Sequence, residues 1–288
     1  MKTPGTTAAR PQLDLRSGMR TALNCVQNIQ QHHIMAFSAA LSFYMVLALF
    51  PALIALSAIV GSLSMPNLFD TVVDTMATVM PPESKHLLER VTRDIISPHG
   101  TSLISVGILG AIWSASGSFS NTMEALNICY CVQETRPFWL TRLLAILFTL
   151  VSGGLTVLAF SLIIVGRHIG TWLASQVQVI NILEPALPAI RYLLASTCIM
   201  LAVMLVYHYA PNFQSTFKQA FPGAALAVVV WLVLSTGLTL YFQKVVHVNH
   251  TYGVLGGAVA LLLWLYLTAF AMLLGAELNA ELIRAGQC

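Results

Sequence analysis

Between Ile34 and Leu63 the chain runs thirty residues without a charged side chain, and comparable apolar runs recur five more times. About 20 apolar residues at about 1.5 Å rise are enough to cross the hydrocarbon core of a bilayer. A water-soluble fold could not hide that much apolar surface, because 57% of the 288 residues are hydrophobic and only 9% are charged, against about 25% charged in soluble domains. The runs are continuous and do not alternate over ten residues, which excludes a β-barrel pattern. The expected fold class is all-α, a polytopic membrane protein with six transmembrane helices, an N-terminal interfacial helix and two short amphipathic helices in the first outer loop.

Residues 1–12 are rich in Thr, Pro, Gly and Ala and are expected to be a disordered tail. Residues 13–33 have helical spacing, with Leu15, Met19, Leu23, Val26 and Ile29 on one face and Arg16, Arg20, Asn24, Gln27 and Gln31 on the other. Such a helix lies along the membrane interface or packs on the cytoplasmic ends of the bundle. No signal-peptide pattern precedes the first long run, which is read as a retained span. The membrane domain is expected over 34–276 and a cytoplasmic tail over 277–288. Its spans fall near Ile34–Leu63, the segment opening at Thr101, Leu143–Val165, Ala189–Tyr209, Ala220–Phe242 and Tyr252–Ala276. The first carries Pro51, which predicts a kink and a freed carbonyl; the third carries Gly153 and Gly154, a candidate close-packing spot. Residues 64–100 read as two short helices interrupted at Pro81 and Pro82.

Six is even, so both termini share one side. That side holds Lys2, Arg10, Arg16, Arg20, Arg136, Arg142, Lys218 and Arg284, against Lys85, Arg90, Arg93, Arg167, Arg191 and Lys244 on the other. The excess of Lys and Arg places both termini in the cytoplasm. No basic stripe with interleaved aromatics marks a nucleic-acid partner, and no internal repeat is visible. The five cysteines lack a CxxC pair and are expected to be reduced.

The second span turns polar along its length: Trp113, Ser116, Gly117, Ser120, Asn121, Glu124 and Asn127 are the candidate substrate-binding residues. An ionisable group at membrane depth marks function by default, and Glu124 is placed facing the bundle interior near the inner surface; the alternative is a helix-end residue that is solvated or paired with an arginine such as Arg136 or Arg142. Arg136, Glu277, Asn279 and Glu281 are read as a polar cluster at an inner mouth or gate. The spans offer no mid-membrane carboxylate, which weakens an ion-coupled exporter. Eight histidines show no orderly ligand spacing, so no metal is expected, and no Walker motif, HExxH or nucleophile elbow is present, so no cofactor and no enzymatic activity are expected.

Ala39-Ala40-Leu41-Ser42-Phe43-Tyr44 with Pro51, Arg136-Pro137-Phe138-Trp139, Tyr209-Ala210-Pro211-Asn212, Pro222-Gly223-Ala224, Tyr252-Gly253, Leu263-Trp264-Leu265-Tyr266 and Gly275-Ala276-Glu277-Leu278-Asn279-Ala280 together resemble the YihY/BrkB family. The resemblance implies six spans, a bacterial inner-membrane location and transport, with lipids or their precursors as suspected cargo. It brings no catalytic residues, and the family's old label of ribonuclease BN is read as a misnomer. The expected function is a transporter-like protein handling a lipid or other amphiphile through an inward-facing polar cavity. The alternatives are a non-transporting envelope scaffold, an ion-coupled exporter and, least favoured, a membrane-bound nuclease. Membrane lipids are the expected partners, with a homo-oligomer left open.

Overall fold

The computed structural model describes residues 23–25, 27–62, 80–81, 84, 102–176, 187–213, 215–244 and 253–286. Among these every regular element is a helix. A short helix α1 (Leu23–Gln31) is followed by α2 (Ile34–Ser62), α3 (Ser102–Cys129), α4 (Phe138–Gln176), α5 (Leu187–Tyr209), α6 (Phe217–Lys244) and α7 (Gly253–Gly286). Three are long and apolar enough over the described residues to cross a membrane, at Phe138–Thr156, Phe217–Gln243 and Gly256–Gly286, and a fourth if α1 and the start of α2 count as one bent span. The proposed tail 1–12, residues 13–22 and most of 64–100 lie outside the described residues.

The long helices close into a ring. Each packs on the next from α2 to α7, α7 returns to α2, and α7 also touches α3 across the ring. The core at the α1 end is built largely from small residues, among them Ala145, Ala210, Ala220, Ala224, Ala269, Ala276 and Ala280, with Tyr207, Leu126, Met123 and Leu273 filling the centre. In a bilayer, lipid tails are as apolar as leucine, so association rests on close van der Waals packing, and small side chains allow it. The large apolar residues point outward instead: Leu143, Leu147 and Leu150 form an exposed stripe on α4.

The closest approach is between α6 and α7, where a Cβ at Gly223 or at Gly275 would run into the other's carbonyl oxygen. The Gly153–Gly154 pair does not pack this way; a Cβ at either meets nothing within 4 Å. The small-residue signal was real, but it acts on a different helix pair. Helix α7 also runs on past residue 276 to Gly286, since Glu277, Asn279 and Glu281 all find partners there. Pro51 lies inside α2, in a stretch whose side-chain surroundings are outside the described residues. The bend that is described falls earlier, between α1 and α2, where the axes turn by 62° and His33 adopts φ 52°.

Helix α1 packs on the bundle end. Asn24 and Asn28 donate to the Glu281 carboxylate at 3.3 and 2.7 Å, while Leu23 is exposed. Through these two asparagines the described part of the helix meets the bundle end, where a buried carboxylate needs donors.

Candidate functional site

The polar stretch of α3 divides between two environments. Ser116 and Asn127 are buried, whereas Glu124 is exposed and Trp113 is 66% exposed. Much of the polarity is satisfied within the helix: Ser116 donates to the Trp113 carbonyl at 2.8 Å, Ser120 to Ser116 at 3.0 Å and Asn121 to Gly117 at 2.9 Å. Such back-bonding to the preceding turn lets a polar residue sit in apolar surroundings without a ligand.

Ser120, Glu124 and Asn127 line an open groove of about 460 Å³ between the end of α3, the 130–137 turn and the start of α4, together with Glu134, Phe138 and Arg142. The groove is on the flank of the ring, and Glu124 opens onto it; the reading that Glu124 faces the bundle interior does not hold, because Met123, Leu126 and Tyr207 occupy that interior. The two arginines considered as its partners are engaged elsewhere. Arg142 stacks over the Trp113 ring at 4.2 Å and donates to the Trp113 carbonyl at 2.9 Å, crossing above Gly117, whose added Cβ would lie 3.9 Å from its Nη1. Arg136 pairs with Glu134. Among the described residues Glu124 has no hydrogen-bond or ion-pair partner.

Arg136 belongs to a clamp that ties the α3–α4 turn to the α5–α6 turn. Its Nε and Nη2 each reach the Glu134 carboxylate at 2.8 Å, and Nη2 also donates to the Ala210 carbonyl at 2.7 Å. Asn127 donates to Glu134 at 2.9 Å and accepts from the Asn212 backbone N–H at 2.7 Å, while the Asn212 side chain donates to the Gln133 carbonyl and the Thr135 hydroxyl. The Arg136 hydrogen bonds, ahead of the opposing effect of burial, hold the Glu134 carboxyl down at about 2. The turn is thus cross-linked by a bidentate pair, the strongest ordinary geometry for Arg and carboxylate.

The proposed inner-mouth cluster divides into four sets of contacts at the same end of the ring. Besides the Arg136 clamp, Asn279 bridges to α6, accepting from the Gly223 N–H at 2.7 Å and donating to the Ala220 carbonyl at 3.1 Å. Glu281 accepts from Asn24, Asn28 and Arg284, and Arg284 continues to the Cys129 carbonyl at 2.7 Å. Glu277 is fully buried and meets His32 Nδ1 at 2.5 Å. Among the described residues Glu277, on α7, is the fully buried acid, and Glu281 one turn on is nearly so. Sequence reasoning passed over His32 and Cys131, which no spacing rule connects to residue 277; only the ring, by packing α7 on α2 and α3, brings them together.

A second cavity of about 280 Å³ is apolar and lies among α4 to α7, lined by Val203, Ala227, Trp231, Trp264 and Met272, with Met80 of the first connection on its wall. Its two indole N–H groups are spent on Thr268 at 3.0 Å and Ser235 at 3.1 Å, so it presents hydrocarbon and aromatic faces. Among the described residues no three His, Cys, Asp or Glu side chains converge to hold a metal.

A closed ring of apolar helices with small residues inside and large ones outside defines a helical membrane protein. The sequence profile described as "Virulence factor BrkB" matches residues 25–287, and the chain belongs to that family. It is 30% identical over 251 residues to a ribonuclease-like protein, YfkH, of Bacillus subtilis, covering 87% of this chain and 90% of the relative. It is 27% identical over 256 residues to a UPF0761 membrane protein of Stenotrophomonas maltophilia, and 26% identical over 255 residues to one of Nitrosospira multiformis. Those alignments cover 85% and 88% of this chain but only 56% and 58% of the relatives, so the chain spans a little over half the length of these UPF0761 proteins. No solved structure matches it.

Proposed function

We propose that this chain is a bacterial inner-membrane protein with six spans and both termini in the cytoplasm, which handles a lipid or another amphiphile at the α1 end of the ring. The observation that carries this reading is the flank groove. It sets the exposed carboxylate of Glu124 in one groove with the Arg142 guanidinium, and beside it Phe138 is 69% and Trp139 80% exposed. Exposed aromatics at a helix start are the usual anchors of the membrane–water boundary, so the groove's charged wall would lie at head-group depth while α4's exposed leucines run down into the acyl region. Membrane lipids are the partners this implies. We read the chain as neither an enzyme nor a nucleic-acid binder, and as needing no cofactor; in that reading the ribonuclease-like name of the Bacillus relative describes no activity of this chain.

Purified protein in nanodiscs containing a head-group-labelled fluorescent lipid tests this. Binding that is lost on Glu124→Ala or Arg142→Ala, with the protein still folded, is expected; equal binding in both variants rules the groove out. The scaffold reading draws on the filled core at this end of the ring, where Leu126, Leu273 and Tyr207 are fully buried. It is favoured if groove variants retain full function in cells while changes in α1 abolish it.

A further inference from the structure

A buried carboxylate, an imidazole and an exposed thiol stand in line at the α1 end of the ring, contributed by three different elements. Glu277 on α7 is fully buried; one of its oxygens lies 2.5 Å from His32 Nδ1, and among the described residues the other has no hydrogen-bond partner. His32 occupies the break between α1 and α2. Its Nε2 faces the Cys131 sulfur at 3.7 Å. Cys131 is exposed, in the turn that ends α3, with its backbone at φ 53°. Arg284 Nη2 lies 3.4 Å from the same sulfur. Among the described residues the remaining ionisable groups facing the set are Glu281, paired with Arg284, the buried thiols of Cys25 and Cys129, and the Tyr130 phenol.

The order of these groups dictates what each can do. With Glu277 in its carboxylate form, which only accepts hydrogen bonds, His32 carries its proton on Nδ1 and directs the Nε2 lone pair at the thiol. A base within reach of a thiol and held in its tautomer by an acid is the arrangement that activates a cysteine nucleophile. The thiolate is the reactive form of a cysteine, and the Arg284 guanidinium stands 3.4 Å from this sulfur. A Cys–imidazole separation of 3.7 Å is longer than a tight bond, as unliganded sites often are.

We infer that Cys131 is an activated thiol, served by His32 and positioned by Glu277, and that it is the point at which this chain accepts an acyl group from a thioester donor at the membrane surface. In that step His32 Nε2 takes the thiol proton and the sulfur attacks the thioester carbonyl. A new carbon–sulfur bond forms to Cys131, the bond to the donor sulfur breaks, and His32 returns the proton to the departing thiolate, so no oxidant or reductant is consumed. The exposed Leu23 and Leu282, on the two helices that flank the set, offer apolar surface to an acyl chain. The chain is modified once and does not turn over, and the inference does not rest on the amphiphile groove, with which it shares no residue.

The full-length protein in detergent is treated with iodoacetamide at pH 7 beside N-acetylcysteine in the same tube, and modified peptides are quantified by mass spectrometry. Cys131 is expected to react about ten-fold faster than the free thiol, as activated cysteines do; an equal or slower rate in the unaltered chain overturns the inference without any variant. His32→Ala is expected to lower the pH 7 rate about ten-fold and Glu277→Gln to lower it less, with all rates converging at pH 10, where hydroxide removes the proton. A rate unchanged by His32→Ala overturns the role of the imidazole. Incubation with a radiolabelled long-chain acyl-CoA should place a hydroxylamine-labile label on the protein and none on Cys131→Ser. A fast thiol that takes no acyl group overturns the choice of electrophile.

Discussion

Gly223 and Gly275 face each other where α6 crosses α7, and neither position has room for a methyl group. A Cβ at Gly275 would stand 2.6 Å from the Tyr207 hydroxyl and 2.9 Å from the Ala227 Cβ. Gly275→Ala is expected to lower stability by about 1–3 kcal/mol through overpacking, read as an earlier midpoint in thermal unfolding in detergent. Gly153→Ala, at a glycine with open space around it, should be neutral or slightly stabilising, since alanine is the better helix former. Equal losses at both positions would show that the crossing does not matter.

Asn279 acts on the same crossing. Pro222 lies within α6 and, lacking an N–H, interrupts the helix's own bonding; the neighbouring Gly223 N–H and Ala220 carbonyl are met by the Asn279 side chain. Asn279→Ala leaves buried backbone groups short of a partner and is expected to cost about 1–3 kcal/mol. Asn279→Asp retains the acceptor and loses the donor, so it should be as costly or costlier at neutral pH, where a buried charge is added. Chemical unfolding of both variants checks the order; an undisturbed Asn279→Ala would remove the side chain from the account of the crossing.

The Glu134–Arg136 pair predicts an acid response. The carboxyl is held at about 2, below its ordinary 4.5, so its contribution is complete above pH 4.5 and is lost as the pH falls toward 2. Proteolysis of the 130–137 turn should therefore rise over that window. Arg136→Lys gives up the bidentate geometry and should move the rise toward pH 4.5. A profile identical to that of the unaltered chain would show that the pair does not hold the turn.

Glu124→Ala separates binding from folding. The side chain is exposed and has no partner among the described residues, so its loss should change stability by no more than about 0.5 kcal/mol. Glu277→Ala, which removes a buried group bonded to His32, should cost several times more. Unfolding midpoints for the two variants test the contrast, and a large loss at Glu124 would mean that it is held by contacts the groove does not provide.

The sequence carried the fold class because apolar length needs no tertiary information: the run opening at Ile34 and the polar turn at Glu134 to Pro137 mark a helix start and a break by themselves. The candidate site was legible only as composition. Ser120, Glu124 and Asn127 do share a groove, yet which side of α3 is filled depends on Tyr207 and Leu273, from helices far along the chain. Gly153 and Gly223 look alike in sequence, and only the neighbour each meets tells them apart. Glu277 read as a tail residue because an apolar count stops at residue 276, while the helix continues as long as its polar groups find partners. His32 and Cys131 had no local signature at all.

The ring closes between its first and last long helices. The α7–α2 contact joins residues more than 200 positions apart, as the His32–Glu277 bond does with a separation of 245, so during synthesis it forms last. Until α7 leaves the ribosome, α2 has one flank open to lipid and His32 has no acid to meet. Contacts of such long range are slow to form and leave intermediates exposed. A chain cut short before α7 therefore leaves uncovered the faces of α2, α3 and α6 on which that helix packs.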